Sequence, residues 1–285
     1  MSSTTVFFSS FLKVLFRPID AMGSKVVSVA VYSRNLVRMT YLSGRAALLD
    51  QTQGLRTVFS VISAQIYFTG WQAMPLISVL AVAVGGVVIL QSSAQLTFLG
   101  GAEAIGNILV IVVVRELAPL IVALVVIARS GTAVASEIGN MRVNREIEAL
   151  ESMGINPLSF IVFPRIAGGV ISVVCLTFYF NVVALIGGYL VTQLINDMPF
   201  GFYIESLSQA MAQTDVWIFL LKNFFSGLII FSVCCYQGLQ VKQASFEVPV
   251  VTIKAVVNSI IYVVLFNLFV TAMVYLNEFI SLGVL

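Results

Sequence analysis

Histidine is absent from this sequence, and charge is scarce: charged residues make up 10% of the 285 positions. Without histidine the chain lacks the commonest general base and the commonest metal ligand. Soluble domains carry about 25% charged residues, so this chain cannot clothe itself in a polar surface. Cysteine is sparse too. Cys175, Cys234 and Cys235 all lie in apolar runs without ligand-type spacing, which reads as small core residues rather than a disulfide framework or a metal site. No GxxxxGK[ST] loop occurs, so the chain has no P-loop of its own for ATP, and Gly100, Gly101 and Gly106 lack the following lysine. The net charge of +2 is dispersed, which argues against nucleic acid as a partner. No serine or cysteine has a histidine base to activate it, so no catalytic residue is expected. Met1–Ser10 has no basic stretch ahead of its apolar residues and is read as part of the mature chain.

What the chain has in abundance is hydrocarbon. Apolar residues make up 59% and the mean hydropathy is +1.03. A helix needs about 20 apolar residues to cross about 30 Å of hydrocarbon. Five segments qualify: about Ala73 to Ser92, Ala104 to Ala128, Ile161 to Leu194, Val216 to Tyr236, and Val256 to Leu276. Basic residues cluster before the first, between the second and third, and between the fourth and fifth. By the positive-inside rule the N-terminus is cytoplasmic and the C-terminus outside, with Lys222 as the one exception to the pattern. Residues 1–70 interleave Phe, Leu and Val with Lys and Arg over Phe7–Met22 and Val26–Leu49. An interfacial helix fits them, and a cytosolic helical extension is the alternative. The expected organisation is therefore an N-terminal region, 1–70, and a membrane domain, 71–285, with a loop at about 129–160. Small residues (Ala81, Ala83, Gly85 and Gly86 in the first segment, Gly168, Gly169, Gly187 and Gly188 in the third) point to close helix packing.

Two polar features interrupt this pattern. Arg115 and Glu116 fall near the middle of the second segment, where each charge costs about 2.5–3.5 kcal/mol to insert. Sequence neighbours do not face each other on a helix, so each needs another partner, a cavity or a second subunit. Pro119 deprives the Arg115 carbonyl of its helical donor, which predicts a kink or opening at that level. The pair either fixes helix packing or takes part in moving a substrate. The second feature is Glu137–Met153. There Ile138, Met141, Val143, Ile147 and Leu150 recur at helical spacing among Arg145, Glu146, Glu148 and Glu151, with Gly154 and Pro157 as stop signals. This predicts one short amphipathic helix whose stripe packs on its own bundle or on a cytosolic partner.

The runs 115–119 (RELAP), 128–133 (ARSGTA) and 137–157 (EIGNMRVNREIEALESMGINP), then Pro164-Arg165, Gly187-Gly188, Gly238-Leu239 and Lys254–Thr271, together resemble the MlaE family of permeases, also called YrbE or TGD-type. The resemblance spans about Pro75 to Tyr275. It implies an all-α integral membrane fold with an N-terminal interfacial helix, five transmembrane helices and a cytoplasmic coupling helix between the second and third. It implies a bacterial inner-membrane permease of an ABC transporter that moves phospholipid or related lipid between membranes. The implied partners are a second permease copy or paralogue, a cytosolic P-loop ATPase that carries the ATP and Mg, and an MCE-domain protein. This chain would bind no cofactor and no metal itself. By position, Arg115 and Glu116, with Val88, Gln91, Gln95 and Leu99, become lipid-cavity candidates. Glu137, Met141, Arg142, Arg145, Glu146, Ile147, Leu150 and Glu151 become candidates for coupling to the ATPase. The sequence departs from the family at Lys242–Pro249, at Asn267 where an acidic residue is usual, and over the unmatched Met1–Gly54. An ion-gradient-driven secondary transporter or channel remains the alternative, suited by a midplane charge pair.

Overall fold

The computed structural model describes residues 27–49, 55–99, 103–195, 199–242 and 244–281, and no strand occurs among them. The Phe7–Met22 part of the N-terminal reading lies outside these residues. Helix α1 spans 27–49 and buries Leu36, Met39 and Ser43, spaced three and four apart, while Val27, Val37 and Leu48 stay exposed. Helix α2 (Leu55–Thr69) passes through a single 3₁₀ turn, Trp71–Ala73, into α3 (Met74–Leu99).

Five helical stretches are long and apolar enough to cross a membrane, as expected from the sequence. The first begins earlier than expected, at Val58 rather than Ala73. Its polar residues satisfy one another inside the helix, as when Gln65 Nε2 donates to Thr69 Oγ1 at 2.8 Å. This lets a sequence that looked too polar enter the bundle.

The second stretch is also longer than expected. Helix α4 (Glu103–Ile108), a π-helical segment (Leu109–Leu117), α5 (Ala118–Val126), a second π segment (Ile127–Gly131) and α6 (Thr132–Val143) follow without a break. Nearly half of the expected loop at 129–160 thus continues the membrane helix. Its small residues allow this, because Gly131 lies against Cys234 Sγ and Gly139 against Val241 and Val248. The expected single amphipathic helix over 137–153 is two. Helix α6 ends at Asn144, Arg145 turns left-handed at φ 58°, and α7 runs Glu146–Ser152. Left-handed backbone costs a non-glycine residue about 1–2 kcal/mol. The turn folds α7 back so that Ile147 is 2% exposed in the core. Gly154, at φ 77°, closes α7: its N–H reaches the Glu151 carbonyl and that of Ile155 reaches Leu150, a Schellman cap.

After a third π segment (Leu158–Val162), α8 (Phe163–Ile195) forms the centre of the bundle, flanked by α2, α3, α5 and α10. The small residues seen in the sequence, Ala83 apart, pack within the chain. A Cβ on Gly85 would sit 2.2 Å from the Ala184 carbonyl oxygen, and one on Gly169 would strike the Phe231 ring. Helix α9 (Phe200–Ala210) lies at the end of the bundle opposite α7. There Tyr203 Oη donates to the Leu185 carbonyl at 2.9 Å, and burial pushes its phenol up to about 12. Helices α10 (Gln213–Gly238) and α11 (Glu247–Ser281) complete the fold.

A polar seam runs between α10 and α11. Lys222 meets Thr271, Ser226 meets Asn267, and Cys234 meets Ser259. Each step along α10 is matched by an equal step back along α11, the register of an antiparallel pair. Helix α1 lies along the same two helices. Tyr32 Oη accepts from Gln237 and Asn258, Ser33 meets Tyr262, and Thr40 donates to Ser232.

Candidate functional site: a charge network inside the bundle

Pro119 has no N–H, so the helix cannot supply the usual donor for the Arg115 carbonyl. The backbone widens here into the π segment, and Ala118 N–H reaches back five residues to Val113. The opening expected at this level is therefore a change of helical register. The Arg115 carbonyl is served from outside, by Lys222 Nζ of α10 at 2.9 Å.

Lys222 donates three hydrogen bonds, each 2.9 Å long: to the Arg115 carbonyl, to Glu116 Oε1 and to Thr271 Oγ1. That exhausts the protons of an ammonium group. Thr271 passes its own proton on to the Glu116 carboxylate. The Lys222 side chain is 1% exposed and that of Glu116 36%. Arg115 turns the other way, its Nε lying 2.7 Å from Asp215 Oδ1. The other Asp215 oxygen accepts from the Ala212 N–H at the start of α10. The positive end of that helix favours a carboxylate at this place.

Two neighbours on one helix are thus paired with two residues on α10. Asp215 and Lys222 are seven apart on α10, two turns or about 10 Å, and lie on one face. The four charges cancel, as an apolar span requires. A small crevice opens at Glu116, lined by Arg115, Ile218, Lys222, Thr271, Val274 and Tyr275. One turn on, Asn267 donates to Ser226 Oγ and to the Val263 carbonyl. The residue that departs from the family's acidic pattern is thus a neutral link in the seam.

Of the expected cavity residues, Arg115 and Glu116 come together in this network. Val88 and Gln91 stand on α3 and do not line the crevice; Val88 is half-buried and Gln91 exposed. The side chains of Gln95 and Leu99 lie outside the described residues. The sequence reading missed Lys222, Asp215 and Thr271. A lysine inside an apolar run was the available signal.

The coupling candidates gather at the opposite end of the bundle, around the α6–α7 turn. Glu137 Oε1 meets Arg165 Nη2 at 2.7 Å, Arg142 Nη1 meets Glu148 Oε1 at 3.0 Å, and Asn144 Nδ2 donates to Glu146 Oε1 at 3.3 Å. Ile147 is buried, with Met141 and Leu150 packed against the core beside it. Arg145, Glu146 and Glu151 are exposed. Among the described residues no group of Cys, Asp and Glu could hold a metal ion.

Comparison with known proteins matches the family model described as "Permease MlaE" over residues 62–273. A probable ABC transporter permease protein of Rickettsia bellii is 31% identical over 217 residues, covering 76% of this chain and 84% of its own length. A probable ABC transporter permease protein of Synechocystis is 27% identical over 248 residues, covering 87% and 94%. The intermembrane phospholipid transport system permease protein MlaE of Haemophilus influenzae is 25% identical over 258 residues, covering 90% and 97%. The chain belongs to the MlaE permease family. It is a multi-pass membrane protein, a permease subunit of the ABC transporter type rather than an enzyme.

Proposed function

We propose that this permease moves phospholipid or a related lipid between membranes. It works paired with a second copy or a paralogue, driven by a separate P-loop ATPase that holds ATP and Mg, and with an MCE-domain protein as lipid-carrying partner. The α7 end faces the cytoplasm and the ATPase, the α9 end faces outward, and the membrane is the bacterial inner membrane. The phospholipid named for the Haemophilus relative supports the substrate class.

The observation that carries the reading is one unbroken rod. The helix from Glu103 to Val143, roughly 60 Å long at 1.5 Å per residue, holds Arg115 and Glu116 in the bundle and ends at the α6–α7 turn. A push on α7 is delivered through packed helices to the level of the charge network. Arg142, Glu146, Glu148 and Glu151 supply a charged docking surface, with Arg145 at the turn itself. Glu137 ties that end of the rod to α8 through Arg165.

The test is reconstitution. The tagged chain, purified from its native membrane in mild detergent with its associated proteins, is expected to bring down a P-loop ATPase and an MCE-domain protein. In proteoliposomes it is expected to transfer fluorescent phospholipid only with ATP and Mg. A chain that purifies alone and transports when an ion gradient is imposed without ATP would replace this reading with an ion-driven carrier.

A further inference from the structure

Two carboxamides inside the bundle keep an oxygen that no described residue serves. Asn181 of α8 is 8% exposed and Asn223 of α10 is fully buried, and Oδ1 of each is sealed in the interior without a hydrogen-bond donor. A carboxamide oxygen can only accept. Leaving one bare in an apolar setting is costly, and native folds rarely do so.

The two residues meet at one level of one helix contact. Helices α8 and α10 run antiparallel. The Phe231 ring covers Gly169, Gly227 lies against Val170 and Val173, and Asn181 lines a cleft together with Phe219 and Leu220. Asn223 reaches back to that same level, since its Nδ2 donates to the Phe219 carbonyl at 2.8 Å. This bond also fixes which way the group faces, because turning it over would set oxygen against oxygen. Side chains on a helix lean toward its N-terminus, so Asn181 leans toward Asn223 from the other wall.

The polar groups nearest in the chain have no proton left to give. Thr177, one turn before Asn181, spends its hydroxyl on the Val173 carbonyl at 2.8 Å. Lys222, next to Asn223, has already given three hydrogen bonds to other groups. Two acceptors at one level therefore call for a molecule with two protons to donate. It has to be small, because both oxygens are sealed from the lipid side. Water meets both conditions, and buried waters typically serve about three such groups.

We propose that one structural water binds between α8 and α10 and donates to Asn181 Oδ1 and Asn223 Oδ1. It forms a polar joint in a helix contact otherwise made largely of apolar side chains and glycine. The joint ties the helix that carries Asp215 and Lys222 to the central helix of the bundle. The site depends on the fold of this chain alone, so it and the transport reading can fail separately.

The first test is a cryo-electron-microscopy map of the full chain in lipid nanodiscs, with its associated subunits, that resolves ordered waters elsewhere in the bundle. Density for one water is expected between the two carboxamides, and its loss in Asn223→Leu. The second test needs no map. Asn181→Leu, Asn223→Leu and the double variant are melted in detergent. Each single change is expected to lower the melting temperature by several degrees, and the double change by no more than the worse single one, because both remove the same water.

A map in which the two carboxamides bond directly to each other, or in which side chains fill the space between them, overturns the proposal. So do single variants that melt no lower than the parent chain, since the oxygens would then be bare. Fully additive losses would show that the two residues share no partner, and likewise overturn it.

Discussion

Lys222 completes the backbone of a helix it does not belong to: its ammonium group stands 2.9 Å from the Arg115 carbonyl, the acceptor that Pro119 leaves without a helical donor. The same nitrogen neutralises Glu116. One side chain on α10 thus answers both the missing proton and the unbalanced charge on the second membrane helix.

Lys222→Met removes both services. Breaking a buried pair by deleting one partner costs about 3–5 kcal/mol, and the partial exposure of Glu116 places this case at the lower end. Thermal unfolding in detergent is expected to show a clear loss. Lys222→Met combined with Glu116→Gln should recover part of it, because no uncompensated charge remains. A double variant no more stable than Lys222→Met would show that the carbonyl, not the carboxylate, is what Lys222 serves.

Pro119→Ala returns an N–H to the helix at the point where Lys222 now donates. The two changes should therefore be non-additive: Lys222→Met costs less on the Pro119→Ala background, by about 0.5 kcal/mol or more. A double-mutant cycle of unfolding free energies checks this. Strict additivity would mean that the proline and the lysine act independently.

Glu137 and Arg165 form an unequal pair, with side chains 60% and 10% exposed. Glu137→Gln leaves a buried guanidinium without its carboxylate, whereas Arg165→Met leaves an exposed carboxylate that water can solvate. The first is expected to destabilise more than the second, and Arg165→Met should rescue Glu137→Gln. The reverse order would indicate that the pair is not buried in the membrane-embedded protein.

Gly85→Ala places a methyl group into the Ala184 carbonyl, where neither backbone can yield. A loss of about 1–3 kcal/mol is expected from overpacking. Gly86→Ala meets only a Val191 methyl, at 3.3 Å, and should be far milder. Equal effects would mean that α3 and α8 do not approach here.

Docking of the ATPase is best probed at the exposed face of α7. Ile147 is buried, so Ile147→Asp would damage the fold and report little about docking. Glu146→Arg with Glu151→Arg is expected to abolish co-purification of the ATPase, with the melting temperature kept within a few degrees. Undiminished co-purification would remove α7 from the docking surface.

Much of this was legible in the chain. The five spans are counts of apolar residues against a fixed hydrocarbon thickness, and neighbours do not alter that count. The Schellman stop at Gly154 is likewise local chemistry. Other features were hidden. The first span reached back to Val58 because Gln65 and Thr69 satisfy each other, and hydropathy counts their polarity without seeing the bond. The start of α6, Thr132–Ser136, was read as loop and Glu137–Val143 as the beginning of one cytoplasmic amphipathic helix, whereas Gly139 lets Val241 and Val248 close over α6 and join it to the bundle.

The same division holds at the site. Sequence alone determined that Arg115 and Glu116 need partners, because desolvation of a charge depends on the medium, and that Pro119 orphans a carbonyl, because proline has no N–H wherever it sits. Which groups answer was decided by tertiary structure. Lys222, Asp215 and Thr271 lie 100–155 positions from the residues they pair with, and apart from the placing of Lys222 in an apolar run nothing local marks them. Only the register of α10 against α11 and the widened turn of the π segment bring them within 3 Å. That register is written in the polar pairs Ser226–Asn267 and Cys234–Ser259 across the two helices, a property of the packed bundle that no single stretch of chain contains.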